Sequence, residues 1–138
     1  MDKKSLIQYL HLQNFSPQTI KALKKVKREN FIPKNLEYLA YEDIALPLEK
    51  GATISQPYTI AFMLDLLELK PNKNQKILEI GSGSGYVIAL ISKIIKECKI
   101  YSIELIEGLA KKSKQILKND KKIVIINKNG SNGLPDKA

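Results

Sequence analysis

Lys76-Ile77-Leu78-Glu79-Ile80-Gly81-Ser82-Gly83-Ser84-Gly85-Tyr86 runs from a short apolar strand through a glycine turn into an apolar helix. Glycine lacks a Cβ and can take φ > 0, so a turn of this composition lets backbone N–H groups and a helix N-terminus approach a ligand closely. The next apolar run, Lys99 to Ile103, ends at an acidic residue, Glu104. A carboxylate about twenty residues after the glycines, at the tip of the second strand, is placed to accept hydrogen bonds from a ribose diol. Together these features predict a nucleoside-cofactor pocket.

The spacing narrows the kind of nucleoside. A dinucleotide fingerprint, G-x-G-x-x-G, needs one more residue before its third glycine, whereas here the glycines run G-x-G-x-G and Tyr86 follows. The segment Glu79-Ile80-Gly81-Ser82-Gly83-Ser84-Gly85-Tyr86 instead resembles the first motif of class I S-adenosylmethionine-dependent methyltransferases. That resemblance implies a loop holding the methionine part of the cofactor and an acidic strand tip holding its ribose. The competing reading is a glycine-rich turn in an ordinary βαβ unit.

Outward from this stretch, strand and helix alternate as a parallel sheet requires. Strands are predicted at Lys76–Ile80, Lys99–Ile103 and Lys122–Ile126, with helices at Tyr86–Lys96 and Ile106–Leu117. The fold class is therefore α/β: an N-terminal helical cap followed by the first three strands of a Rossmann-like doubly wound parallel sheet. In the cap, Lys3 to Leu12 has helical periodicity, and Ser16-Pro17 supplies an N-cap and an N1 proline for a helix burying Ile20, Leu23 and Val26. Pro33 sets a break before a short helical turn near Asn35–Ala40. A long irregular loop follows from Tyr41 to Pro57, too apolar for disorder and long enough to bind something. The helix after it, Thr59 to Leu69, puts Ile60, Met63, Leu64 and Leu67 on one face. Two units are expected, a cap with substrate loop at 1–58 and a partial cofactor-binding domain at 59–138.

Composition bounds the rest. The 138 residues fit about one domain, and 43% hydrophobic with 27% charged residues fits a globular chain. No stretch approaches the roughly 18 apolar residues that span a bilayer, and the N-terminus lacks a signal-peptide pattern. With Cys98 the single cysteine, no intrachain disulfide is possible, and a cytoplasmic monomer is the expectation. The net charge is +9, yet Arg28 is the only arginine among 23 basic residues. Base-edge and bidentate phosphate recognition favour the planar guanidinium, so the dispersed lysines predict solvated faces and no specific nucleic-acid site.

The methyl acceptor is suggested by the loop. Tyr41-Glu42-Asp43-Ile44-Ala45-Leu46-Pro47, then Gly51-Ala52-Thr53-Ile54-Ser55-Gln56-Pro57-Tyr58, resembles protein-L-isoaspartate O-methyltransferases, as does Arg28-Glu29-Asn30-Phe31-Ile32-Pro33 upstream. The resemblance extends from about Ser16 to Gly133, with the motifs in the family's order. It implies transfer of a methyl group from S-adenosylmethionine to the α-carboxylate of isoaspartyl residues in damaged proteins. An α-carboxyl with a reference pKa of about 3.5 is already ionised at neutral pH, so the reaction needs alignment and water exclusion, with no general base.

By resemblance Ser55 is the active-site serine, orienting the acceptor carboxylate, with Thr53 and Ile54 beside it in the acceptor site. Glu79, Gly81, Gly83, Gly85, Glu104, Asn129 and Gly130 are the cofactor residues it implies, and no metal is expected. Ser55 could also serve as an N-cap for the helix after Pro57. Two departures stand out. The family's G-D-G after the third strand is Lys128-Asn129-Gly130 here, exchanging a carboxylate for an amide. The family's sheet also continues beyond the point where Ala138 ends the sequence, so the chain reads as an incomplete copy whose first strand is an exposed edge. A methyltransferase with another acceptor, and a non-catalytic cofactor-binding module, remain as alternatives.

Overall fold

The computed structural model describes residues 1–135; Asp136, Lys137 and Ala138, the end of the expected polar turn, lie outside the described residues. Two helices open the chain, α1 (Lys3–Leu12) and α2 (Pro17–Lys25). Ser16 caps α2 by accepting from the Thr19 N–H, and Leu6, Ile7, Leu10, Ile20, Leu23 and Val26 turn inward. Two 3-10 turns, Arg28–Phe31 and Lys34–Leu39, lead into the long loop. That loop is partly ordered by a minimal antiparallel hairpin, β1 (Leu46–Pro47) with β2 (Thr53–Ile54), which sequence periodicity could not reveal in strands of two residues.

Helix α3 (Pro57–Leu66) follows, and α2 is tied to it by one carboxylate: Asp65 accepts from the Ser16 N–H at 2.8 Å, the Ser16 hydroxyl at 2.7 Å and the Thr19 hydroxyl at 2.7 Å. The predicted apolar face of α3 is only half correct. Ile60 and Leu64 are buried with Ala61, but Met63 is 59% and Leu67 54% exposed, because they lie over an open cavity beside the first sheet strand.

The main sheet is parallel, in the order β3 (Gln75–Ile80), β4 (Cys98–Glu104), β5 (Ile123–Asn127). Ile77 pairs with Ile100 and Ile80 with Ile103, while Ile100 pairs with Ile123 and Glu104 with Asn127. The crossovers are α4 (Tyr86–Ile94) and α5 (Glu107–Ile116). Right-handed connections across strands laid down in one direction put both helices on the same sheet face. There Ile88, Leu90, Ile91, Ile94 and Ile100 join the cap residues in one continuous apolar cluster. β3 is an edge strand, as expected, and its Leu78 and Ile80 side chains are about half exposed on the other face. No helix among the described residues is long and apolar enough to cross a membrane.

Candidate functional site

The glycine turn is built where β3 ends, and three of its residues require glycine backbone freedom: φ is +83° at Gly81, +53° at Gly83 and +87° at Gly85. The Gly81 N–H donates to the Ile103 carbonyl at 2.7 Å, so the turn begins by folding across the end of β4. At Gly85 an added Cβ would meet Ser113 Cβ at 2.9 Å, which is how α5 closes against the start of α4. Ser82 and Ser84 are buried within the turn, and the Ser82 hydroxyl has no hydrogen-bond partner among the described residues.

Glu104 lies at the tip of β4, 5% exposed. One carboxylate oxygen accepts from the Gly83 N–H at 2.7 Å and the other from the Ile106 N–H at 2.9 Å. The side chain therefore braces the glycine turn and the start of α5, a task the sequence did not announce. Each carboxylate oxygen retains a free lone pair. Asn127, which sequence reasoning missed, donates its amide to the carbonyls of Glu104 (2.9 Å) and Leu105 (3.1 Å), fixing the strand tips against each other.

Glu79 points to the helix-covered side of β3, where Ser102 donates to it at 3.2 Å. Burial pushes its carboxyl up to about 7, the Ser102 hydrogen bond pulls the other way, and the nearby Glu104 charge adds to the rise. Asn129 is exposed, with its carbonyl oxygen accepting from the Ser131 N–H at 2.9 Å, so its amide nitrogen is the end left free. Gly130 packs on the end of β3, where a Cβ would come within 2.7 Å of Ile80 Cγ2.

The long loop that carries Ser55 meets this end of the sheet. Ser55 shares a cavity of ≈ 550 Å³ with Glu79, Gly81, Ile60 and Val87. Thr53 and Ser55 are both exposed, while the alternating Ile54 is 4% exposed and belongs to the core. The Thr53 carbonyl would lie 3.9 Å from a Cβ at Gly83, so the hairpin runs against the glycine turn. At its tip, Glu49 pairs with Lys112 of α5 at 3.1 Å. Ser55 is not the N-cap of α3. Gln56 occupies that position, and the Tyr58 N–H is capped from a distance by Asp43 at 2.8 Å.

Five of the lysines come together elsewhere. Lys25, Lys27, Lys93, Lys121 and Lys122 line a cleft at the C-terminal ends of α2 and α4, and the Lys122 ammonium donates to the Ile95 carbonyl at 3.0 Å. Cations at that end offset the helix dipole. Among the described residues no cluster of His, Cys, Asp and Glu is arranged to hold a metal.

The sequence matches the family model described as protein-L-isoaspartate(D-aspartate) O-methyltransferase over residues 1–138. The chain belongs to the protein-L-isoaspartate O-methyltransferase family. A curated member from Geotalea uraniireducens is 40% identical over 124 residues, which cover 88% of this chain and 55% of that protein. A member from Petrotoga mobilis is 50% identical over 97 residues, covering 70% and 44%. A solved protein-L-isoaspartate O-methyltransferase superposes with a TM-score of 0.83 at 25% identity, over 98% of this chain and 44% of its own. A Plasmodium falciparum structure described as this methyltransferase, in complex with S-adenosyl-L-homocysteine, gives 0.75 at 26% identity over 94% and 64%. The chain thus spans about half the length of the family members that it matches, and within that half it carries both the glycine turn and the Ser55 loop.

Proposed function

We propose that this chain carries the cofactor turn and acceptor loop of an S-adenosylmethionine-dependent carboxyl O-methyltransferase acting on isoaspartyl residues of damaged proteins. The observation that carries the reading is the shared cavity, in which Ser55 of the family's loop faces Glu79 and Gly81 of the glycine turn. Residues 1–58 then form the acceptor side and 59–138 the cofactor side.

The residues present fit the cofactor. A buried hydroxyl without a partner, Ser82 Oγ, lies in the turn, and such a group is costly unless something completes its hydrogen bonding. The N–H groups of Gly81, Gly83 and Gly85 are engaged within the turn, and the absence of side chains there would let the methionine portion approach the backbone closely, with Glu79 near its ammonium. Glu104 would use its remaining lone pairs for the ribose hydroxyls, and the Asn129 amide with Gly130 would meet the adenine edge. When bound, S-adenosylmethionine supplies an electrophilic methyl on a sulfonium and leaves as the neutral thioether.

The chain's own task is alignment. Ser55, with Thr53 beside it, donates to one oxygen of the acceptor carboxylate and points the other along the line of attack, while the backbone of Ile54 keeps the loop extended. Ile60, Leu64 and Ile91 give one side of the cavity apolar walls, which strengthens the interaction of the anionic acceptor with the positive methyl donor there. No proton has to be removed, and no histidine lies near Ser55 in sequence to make it a nucleophile.

The lysine-lined cleft serves helix ends on this reading, with no nucleic-acid partner, and the protein is a cytoplasmic monomer. Incubation with methyl-labelled cofactor and paired peptides, one isoaspartyl and one aspartyl, tests the proposal. Base-labile label on the isoaspartyl peptide alone is expected. Equal labelling of both peptides, or none, would overturn it.

A further inference from the structure

Arg28, the only arginine, is fully buried at the start of the 3-10 turn Arg28–Phe31. Its Nη1 donates to the carbonyls of Ala40 at 2.8 Å and Glu42 at 3.4 Å, and its Nη2 to those of Ile44 and Ser55, both at 3.1 Å. Ala40 immediately precedes the long loop, Glu42 and Ile44 lie on its first leg, and the fourth acceptor is the backbone of Ser55 itself. Elsewhere the loop is held by the two-residue hairpin of β1 with β2, by Asp43 on the Tyr58 N–H, by the Glu49–Lys112 pair and by the buried Leu46 and Ile54; the Ser55 carbonyl is bonded by Arg28.

The same short turn also reaches the cofactor side. Phe31 packs on Tyr86, the residue that closes the glycine motif, with ring centroids 5.4 Å apart. Tyr41, where the loop begins, donates its hydroxyl to Glu29. Arg28 makes no salt bridge among the described residues, so its charge is solvated by carbonyl dipoles and Asp43 contributes only at longer range. A buried cation held this way is costly unless every acceptor keeps its place, and the planar fork spans carbonyls that a point-like ammonium cannot reach together.

We propose that Arg28 is the positioning residue for Ser55, fixing the serine backbone through its carbonyl and so aiming the hydroxyl into the cavity shared with Glu79 and Gly81. The value of that placement for catalysis rests on the acceptor role proposed for Ser55; the placement itself does not. Lysine at this position keeps the charge but loses the two-pronged grip, which frees the leg carrying Ser55 while the sheet keeps its own hydrogen bonds.

Hydrogen exchange of the 138-residue chain tests this, read in peptides covering 41–57 against those covering 75–80 and 98–104. In Arg28→Lys, exchange in 41–57 should rise about tenfold or more, as expected for loss of a charged hydrogen bond, with the sheet segments unchanged. In Arg28→Gly, added methylguanidinium should restore protection to 41–57. An unchanged loop in Arg28→Lys would overturn the proposal. So would loop and sheet loosening together without rescue by methylguanidinium, since Arg28 would then be a general core residue. Titration of a fluorescent isoaspartyl peptide into wild type, Arg28→Lys and Ser55→Ala separates the two ideas. Peptide binding that is indifferent to Ser55→Ala defeats the acceptor role alone, whereas the exchange pattern decides the role of Arg28.

Discussion

The carboxylate of Glu104 holds the backbone N–H of Gly83 at 2.7 Å, so the strand tip and the glycine turn form one hydrogen-bonded unit. With its second oxygen on the Ile106 N–H, one side chain sets the relative placement of β4, the turn and α5. Glu104→Gln keeps one acceptor oxygen and turns an NH2 group toward the other N–H. Denaturant unfolding should show a loss of about 1–3 kcal/mol with an unchanged m-value.

Glu79 makes stability depend on pH in an uncommon direction. Its folded-state pKa, about 7, is raised above the ordinary carboxyl value of 4.5. The folded state therefore binds more protons than the unfolded state between those values, and stability falls as pH rises through that window. The stabilisation is complete below the unfolded value and lost above the folded one, an effect on the order of 3 kcal/mol. Thermal melts from pH 4.5 to 7.5 should show this fall, and Glu79→Gln should flatten it.

Gly85 is a position where any side chain conflicts. Its φ of +87° suits glycine alone, and a Cβ would be 2.9 Å from Ser113 Cβ and 3.1 Å from Leu117 Cδ1. Gly85→Ala should cost about 2–4 kcal/mol from backbone strain and overpacking together. Gly51→Ala, with a comparable φ of +78° but open space around it, carries the strain alone and should melt measurably above Gly85→Ala.

If Ser55 orients the acceptor, Ser55→Ala should lower kcat/KM for an isoaspartyl peptide about ten- to a hundredfold, the range of one hydrogen bond to a charged group. Affinity for S-adenosylhomocysteine should stay within about twofold, since no cofactor contact is assigned to it. Steady-state kinetics with parallel calorimetry reads both.

What the sequence made legible was whatever rests on local chemistry. The glycine turn, the acidic strand tip, the Ser16-Pro17 helix start and the strand–helix alternation each follow from backbone freedom, capping or periodicity over a few residues. What it hid depends on contacts far apart in the chain. Asp43 caps α3 from fifteen residues upstream, and Asp65 gathers three donors from the start of α2. Arg28 stands out in the sequence as the lone arginine and as the start of the Arg28–Pro33 segment, but nothing local indicates that it collects four carbonyls. Met63 and Leu67 share the apolar stripe of α3, but periodicity identifies a stripe without saying what covers it.

The most direct test of the central claim is the crystal structure of this chain with S-adenosylhomocysteine. Its ribose hydroxyls are expected within hydrogen-bond distance of the Glu104 carboxylate, and its sulfur should face the cavity that holds Ser55. A nucleoside bound away from the glycine turn, or a sulfur directed away from Ser55, would contradict it.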